Sequence, residues 1–304
     1  MAGLKELRTR IFSIASTKKI TSAMKMVAAA RLRKAQDLLA KSETYHNGVL
    51  TIAGRLYKDI SHEERASGKE VVYPLVMQTR ASQENYLLVV FSSDRGLCGS
   101  YNSYVLRETV KRIEELQKEG KNVKVLCLGK KVGDALKVRN PDVVWDVVSG
   151  VVGKTIKYKD AEKIIEPLIQ EYLSGSFDVC EVIYTYFNSA INRSIKRRCL
   201  IPYEFDVDLN DARYDNKFND AFYEYDTAEE KIFNDVVFML LVSEIFQMLL
   251  NSQASEQGAR MTSMDNATRN ASDMIDKLTL KYNRLRQSAI TTELIEIISG
   301  AEAL

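Results

Sequence analysis

Apolar positions along the 304 residues follow two rhythms. Toward both ends they recur every three or four residues, and in the middle they come as short runs separated by helical stretches. Near the amino end Leu4, Leu7, Ile11 and Ile14 keep three-four spacing, and after a break Met24, Val27, Leu32, Ala35 and Leu39 resume it. That spacing predicts a helix with one apolar stripe. The 44 residues between Gly3 and Gly48 contain neither glycine nor proline, enough for roughly 65 Å of helix. Toward the carboxyl end Ala267, Ala271, Met274, Leu278, Tyr282, Leu285 and Ala289 repeat the pattern, and the 73 residues from Thr227 to Ser299 hold no proline and one glycine, Gly258. Thr227-Ala228-Glu229-Glu230 reads as a capping box at the start of this stretch. An uninterrupted helix from there would be roughly 110 Å long, whereas a compact chain of this size is about 50 Å across. The helix must leave its own domain. Because most helical stability comes from packing one face, the two ends predict each other as partners in a long antiparallel coiled coil.

Between them the pattern alternates. Tyr86–Phe91, Val123–Leu128, Val143–Val148, Val179–Phe187 and Ile195–Ile201 are strand-like, with helical spacing over Tyr104–Lys118, Lys130–Val138 and Ala161–Leu173, the last containing Pro167. Alternation of this kind predicts a Rossmann-like α/β domain with a mostly parallel sheet, its last strand antiparallel if Asn188–Arg193 is a hairpin. All four prolines lie between residues 74 and 202, which confines the irregular part of the chain to the middle. Gly48, Gly54 and Gly68 mark the fraying of the first helix. The expected organisation is an amino-terminal helix over 1–58, the α/β domain over 70–202, an acidic and aromatic connection over 203–226 and a carboxyl-terminal helix over 227–304.

The net charge of +2 hides an asymmetry: residues 1–41 carry ten Lys or Arg against two acids, so that the rest of the chain is negative. Such a basic helix is either a solvated face or the complement of a negatively charged partner. Aromatic residues do not interleave with the charges, which speaks against nucleic acid. In the greasiest region the longest unbroken apolar run is Val236–Val242, too short to cross a membrane, and it predicts a helix buried against the domain. No signal peptide precedes Leu4, where the helical pattern begins. Cys98, Cys127, Cys180 and Cys199 lack CxxC spacing and are expected as reduced thiols in a cytosolic compartment. His46 and His62 suggest no metal site.

Two loops resemble phosphate cradles and fail on spacing. Ser92–Gly99 follows the first strand where a dinucleotide fold has G-x-G-x-x-G, but Asp94 takes the place of the first glycine. Gly150–Thr155 ends like a Walker A loop, yet Val148 stands where the first glycine belongs. Both read as structural turns, and neither a cofactor nor a catalytic group is expected.

Three motifs in order carry a family resemblance. Ile290-Thr291, Glu293, Glu296 and Gly300-Ala301 resemble the carboxyl-terminal signature of the gamma subunit of F-type, proton-translocating ATP synthases of the bacterial type. Ile11, Ser13-Ile14, Thr17, Lys19-Ile20-Thr21, Ala23-Met24 and Met26–Ala29 are similar to the amino end of the same family, and so is Ser93–Gly99. The resemblance implies a non-catalytic central rotor shaft that couples rotation of the membrane c-ring to nucleotide chemistry on the beta subunits. It implies contacts with alpha, beta, epsilon and the c-ring, no direct nucleotide or nucleic-acid binding, and a peripheral location on the cytoplasmic face of the bacterial inner membrane. By matched position, Arg260, Arg286, Gln287, Thr291 and Glu293, with Met24 and Lys25, would meet the beta subunits. Gly300 and Ala301 would turn in an apolar collar, and Arg8, Lys18 and Lys19 would belong to the basic face. The regulatory cysteine insertion of the chloroplast form is absent, so thiol switching is not expected. A structural coiled-coil tether or basic adaptor would explain the helices and the charge, but neither the domain between them nor the Ile290–Ala303 pattern.

Overall fold

The structure, a computed structural model, describes residues 2–67, 73–151, 156–205 and 229–302. In chain order the elements are α1 (Ala2–Ser67), β1 (Asn85–Phe91), α2 (Tyr101–Lys118), β2 (Asn122–Leu128), α3 (Lys130–Arg139), β3 (Val144–Val148), α4 (Tyr158–Ser174), β4 (Val179–Phe187), β5 (Arg193–Ile201) and α5 (Glu229–Glu302). The strands form one sheet in the order β3-β2-β1-β4-β5. All neighbours are parallel except β4 and β5, which run antiparallel across a tight hairpin. There the Ser189 amide donates to the Asn192 carbonyl at 2.8 Å.

Leu87 through Phe91 are all buried, as expected of a central parallel strand covered on both faces. Alternate side chains go to different layers. Leu88 and Val90 pack with Val105, Ile113 and Leu116 of α2 and with Val132 and Leu136 of α3. Leu87, Val89 and Phe91 face the other way, onto Ile165 and Leu168 of α4, Val237, Leu241, Ile245 and Leu249 of α5, and Ala53 and Leu56 of α1. Both terminal helices are thus rooted in the domain core. Pro167 sits inside α4 without ending it.

The first helix departs from its expected boundary, continuing through Gly48 and Gly54 to Ser67 instead of ending at 58. A glycine costs a helix interior about 1 kcal/mol relative to alanine. Here Val49, Ala53, Leu56 and Ile60 are buried in the main core around these positions, and that packing outweighs the local penalty. Gly258 of α5 has a different reason: a β-carbon there would lie 3.3 Å from the Ala190 Cα and 3.4 Å from the Phe187 ring, where the β4–β5 hairpin crosses the helix. Residues Thr227 and Ala228 of the expected capping box, and most of the acidic connection, lie outside the described residues.

Candidate functional site

The long helices meet along a seam set by a period of seven. On α1, Thr21, Ala28, Ala35, Ser42, Val49 and Leu56 are buried at one heptad position. Leu4, Ile11, Lys18, Lys25, Leu32, Leu39, His46, Ala53 and Ile60 occupy the other. Sustained sevenfold spacing is the pattern of a left-handed coiled coil. The expected stripe needs correcting at three points: Val27 is 52% exposed while its neighbour Ala28 is 1% exposed, and Met274 and Leu285 are exposed too. The break in that stripe is where the seam is lined by small and polar residues instead of large apolar ones. Small side chains let the backbones approach, and the polar ones pair across the gap.

Those pairs fix the register. The Lys18 ammonium donates to the Ser272 hydroxyl at 3.0 Å, and the Thr21 and Thr268 hydroxyls bond at 2.8 Å. Lys25 meets Asp265 at 2.5 Å, and the His46 Nδ1 lies 2.9 Å from the Ser243 hydroxyl. In every pair the two residue numbers add to 289 or 290, so the helices run antiparallel without slippage. The hydrogen bond from Lys25, then Arg269 at 2.9 Å, holds the Asp265 carboxyl below its ordinary range. The His46 pKa is lowered too, which for a base favours the neutral ring. Burial lowers its pKa, and Glu244, 3.7 Å from Nε2, opposes that only in part while also binding Arg198 at 3.0 Å.

Where the seam leaves the domain, two loops grip α5. The Arg260 guanidinium donates to the Arg95 and Gly96 carbonyls, each at 3.3 Å, and pairs with Glu256 at 2.6 Å. The Thr262 hydroxyl lies 3.4 Å from the Ala190 carbonyl of the β4–β5 hairpin. Arg260, expected among surface contacts, is 9% exposed and engaged within the chain. Burial raises the pKa of Glu256, with Arg260 acting against the shift. The same loop accounts for one missing glycine: the Asp94 carboxylate accepts the Lys130 amide at 3.1 Å and the Gly150 amide at 2.9 Å. Lys130 opens α3, so Asp94 occupies the anion position that a helix amino end offers. Gly153, Lys154 and Thr155 lie outside the described residues.

By the register, the start of α1 reaches no further than about residue 288 of α5, and the last turns of α5 project alone. Ile290, Leu294, Ile295, Ile297 and Ile298 are all exposed there, up to 69% at Ile297. Arg286, Gln287, Thr291, Glu293 and Ala301 are exposed on the same segment, and Gly300 falls in its last turn. Further down, Arg8 and Lys19 are exposed while Met24, Lys18 and Lys25 are half-buried at the seam. The structure therefore spreads the predicted residues along one rod instead of gathering them in a pocket. Residue-type reasoning missed Asp265, Ser272, Thr268 and Glu256, which have no signature of their own; a count by sevens from Leu4 would have pointed across the seam to the first three.

A two-helix rod rooted in an α/β body and outgrowing it at one end is a shaft. The ATP synthase family model matches residues 3–304. The chain is 43% identical to the ATP synthase gamma chain of Rhodospirillum rubrum and 40% identical to that of Pelagibacter ubique, with 100% of both chains covered in each case. It superposes on a chain of the central stalk and c-ring of the Tetrahymena thermophila mitochondrial ATP synthase with a TM-score of 0.58 at 25% identity, covering 82% of this chain and 99% of that one. A chain of the Euglena gracilis mitochondrial ATP synthase shares the fold, with a TM-score of 0.55 at 18% identity, covering 90% and 95% of the two. The chain belongs to the ATP synthase gamma-chain family, the central stalk subunit of the F-type enzyme.

Proposed function

We propose that the α1/α5 rod turns inside a ring of alpha and beta subunits and carries rotation between a membrane c-ring and the catalytic sites, with no chemistry of its own. In this reading residues 70–202 form the body that sits beside epsilon on the c-ring at the cytoplasmic face of the bacterial inner membrane. Residues 203–226 connect that body to the carboxyl-terminal shaft helix over 227–304, and the amino-terminal shaft helix over 1–58 is rooted in the body from about Val49 onward. Met24, Lys25, Arg286, Gln287, Thr291 and Glu293 then meet the ring, Arg8, Lys18 and Lys19 supply charge complementary to acidic loops, and Gly300 and Ala301 turn in an apolar collar.

One observation carries the proposal: α5 continues beyond its partner as a lone helix with five exposed Ile or Leu side chains. An apolar surface of that kind marks a place where another protein sits. The Asp94 carboxylate at the α3 amino end agrees with a non-catalytic subunit, because the position a phosphate would take already carries negative charge. The test is direct observation of rotation. With the alpha/beta ring fixed to a surface and a bead tethered through Val138→Cys, on a residue 88% exposed, added ATP should turn the bead in one direction. A bead that stays still while ATP is hydrolysed would overturn the proposal.

A further inference from the structure

A cavity of about 580 Å³ opens in the side of the domain, between the amino end of α2 and the β4–β5 hairpin with the strands it joins. We propose that it is a binding site for a singly charged oxyanion, a phosphate monoanion or a carboxylate, held chiefly by the Arg193 guanidinium. This goes beyond the shaft reading and does not rest on it.

Four features converge. The Arg193 Nη1 is buried without a hydrogen-bond partner. Burial depresses this guanidinium's pKa and the nearby Cys98, Tyr101 and Tyr104 oppose it, and no ion pair to Arg193 forms among the described residues. Arg107 lines the same cavity and lays its guanidinium face 4.8 Å from the Tyr104 ring centre, with no ion pair among the described residues. The Thr185 side chain, 3% exposed, lines the cavity beside the Tyr101 hydroxyl, yet its Oγ1 finds no partner in hydrogen-bonding geometry. Finally, Ser100 caps α2 without a side-chain hydrogen bond, and the first turn of that helix holds no acid. A helix amino end presents partial positive charge and unused N–H groups.

Buried donors left unmatched are costly, those of a charged group most of all. An oxyanion would satisfy Arg193 and Thr185 together. Arg presents a planar fork suited to two oxygens at once. Glu108 sets the charge limit: it lines the same cavity, and against the two arginines it leaves one net positive charge, which favours a monoanion over a polyphosphate.

The full chain is titrated calorimetrically with sodium phosphate and sodium acetate, against sodium chloride at matched ionic strength. Saturable binding of phosphate or acetate, and none of chloride, is expected. Arg193→Gln should weaken it about tenfold or more, and Arg193→Lys by less, because the charge remains while the fork is lost. Arg107→Gln, at an exposed position, should leave the fold intact and weaken binding by a smaller factor. Phenylglyoxal labelling of Arg193 separates the sources of the anion. Protection in the assembled complex only when phosphate is added identifies a free ion, and protection without it identifies a carboxylate from a neighbouring subunit. Equal binding by wild type and both Gln variants, or no saturable binding together with equal labelling of Arg193 under all conditions, would overturn the proposal.

Discussion

The two halves of α5 are one continuous helix and live by different physics. From Phe233 to Leu250 most of its apolar side chains are within the main core: Phe233, Val237, Leu240, Leu241, Ile245 and Leu249 are all at or below 1% exposure, with Met239 the exposed exception. From Met274 onward apolar residues of the same kinds stand in solvent, with Leu285 42% and Leu294 53% exposed. The lower half gains its stability from the domain it belongs to. The upper half gains little beyond its seam with α1, so its exposed residues are informative about partners and its buried ones about folding. Sequence composition alone does not separate the two, because Leu and Ile occur in both.

Truncation sharpens that contrast most. Leu240→Ala, at a fully buried site, should destabilise the isolated chain by about 2–5 kcal/mol. Leu285→Ala should change it by no more than about 0.5 kcal/mol, as expected for an exposed position. Denaturant unfolding of the two variants measures the gap, and equal losses would mean that the upper helix is as tightly held as the lower. A smaller effect belongs to His46, which packs against the core half of α5 at Ser243 and Glu244. Its folded-state pKa lies below the ordinary 6.5, because burial disfavours the charged ring. As pH falls through 6.5 the unfolded chain takes up a proton that the folded chain resists, so stability present above that value is lost toward acid. Glu244, Glu43 and Arg198 modulate the window, and His46→Gln should flatten the pH dependence of the unfolding midpoint below pH 6.5. The smallest effect should come from Asp265→Asn. It removes the pairing with Lys25 and Arg269 at a solvent-exposed part of the seam, and the change should shrink further as salt is raised.

Much of this architecture is legible in the sequence. The five strands and the three helices between them lie within a few residues of where apolar runs and helical spacing placed them, since strand and helix periods are local properties of the chain. The pairing of the ends was legible from length alone. The seam was harder. Val27 and Ala28 are adjacent and both apolar, and only a strict period of seven tells which one faces the partner. Lys18 and Lys25 read as plain surface charge until Ser272 and Asp265 are seen opposite them. Gly54 reads as a fraying point of α1 because propensity is local, while the packing of Ala53 and Leu56 that overrides it comes from residues far along the chain. Arg260 resembled a surface contact by its matched position. That it turns inward depends on where the Arg95 and Gly96 carbonyls fall, and no spacing within α5 records that.

The polar rungs of the seam make the rod behave like a bolt with a single seat. Sliding α1 along α5 by one heptad, about 10 Å, would carry His46 from Ser243 to the neighbourhood of Leu250, a side chain with no exposure at all. It would also leave Lys25 near Ser272 and strip Asp265 of its cross-helix partner. A load applied along or around this axle therefore finds no cheap intermediate stop, and the strands of the rod bend or twist together before they creep.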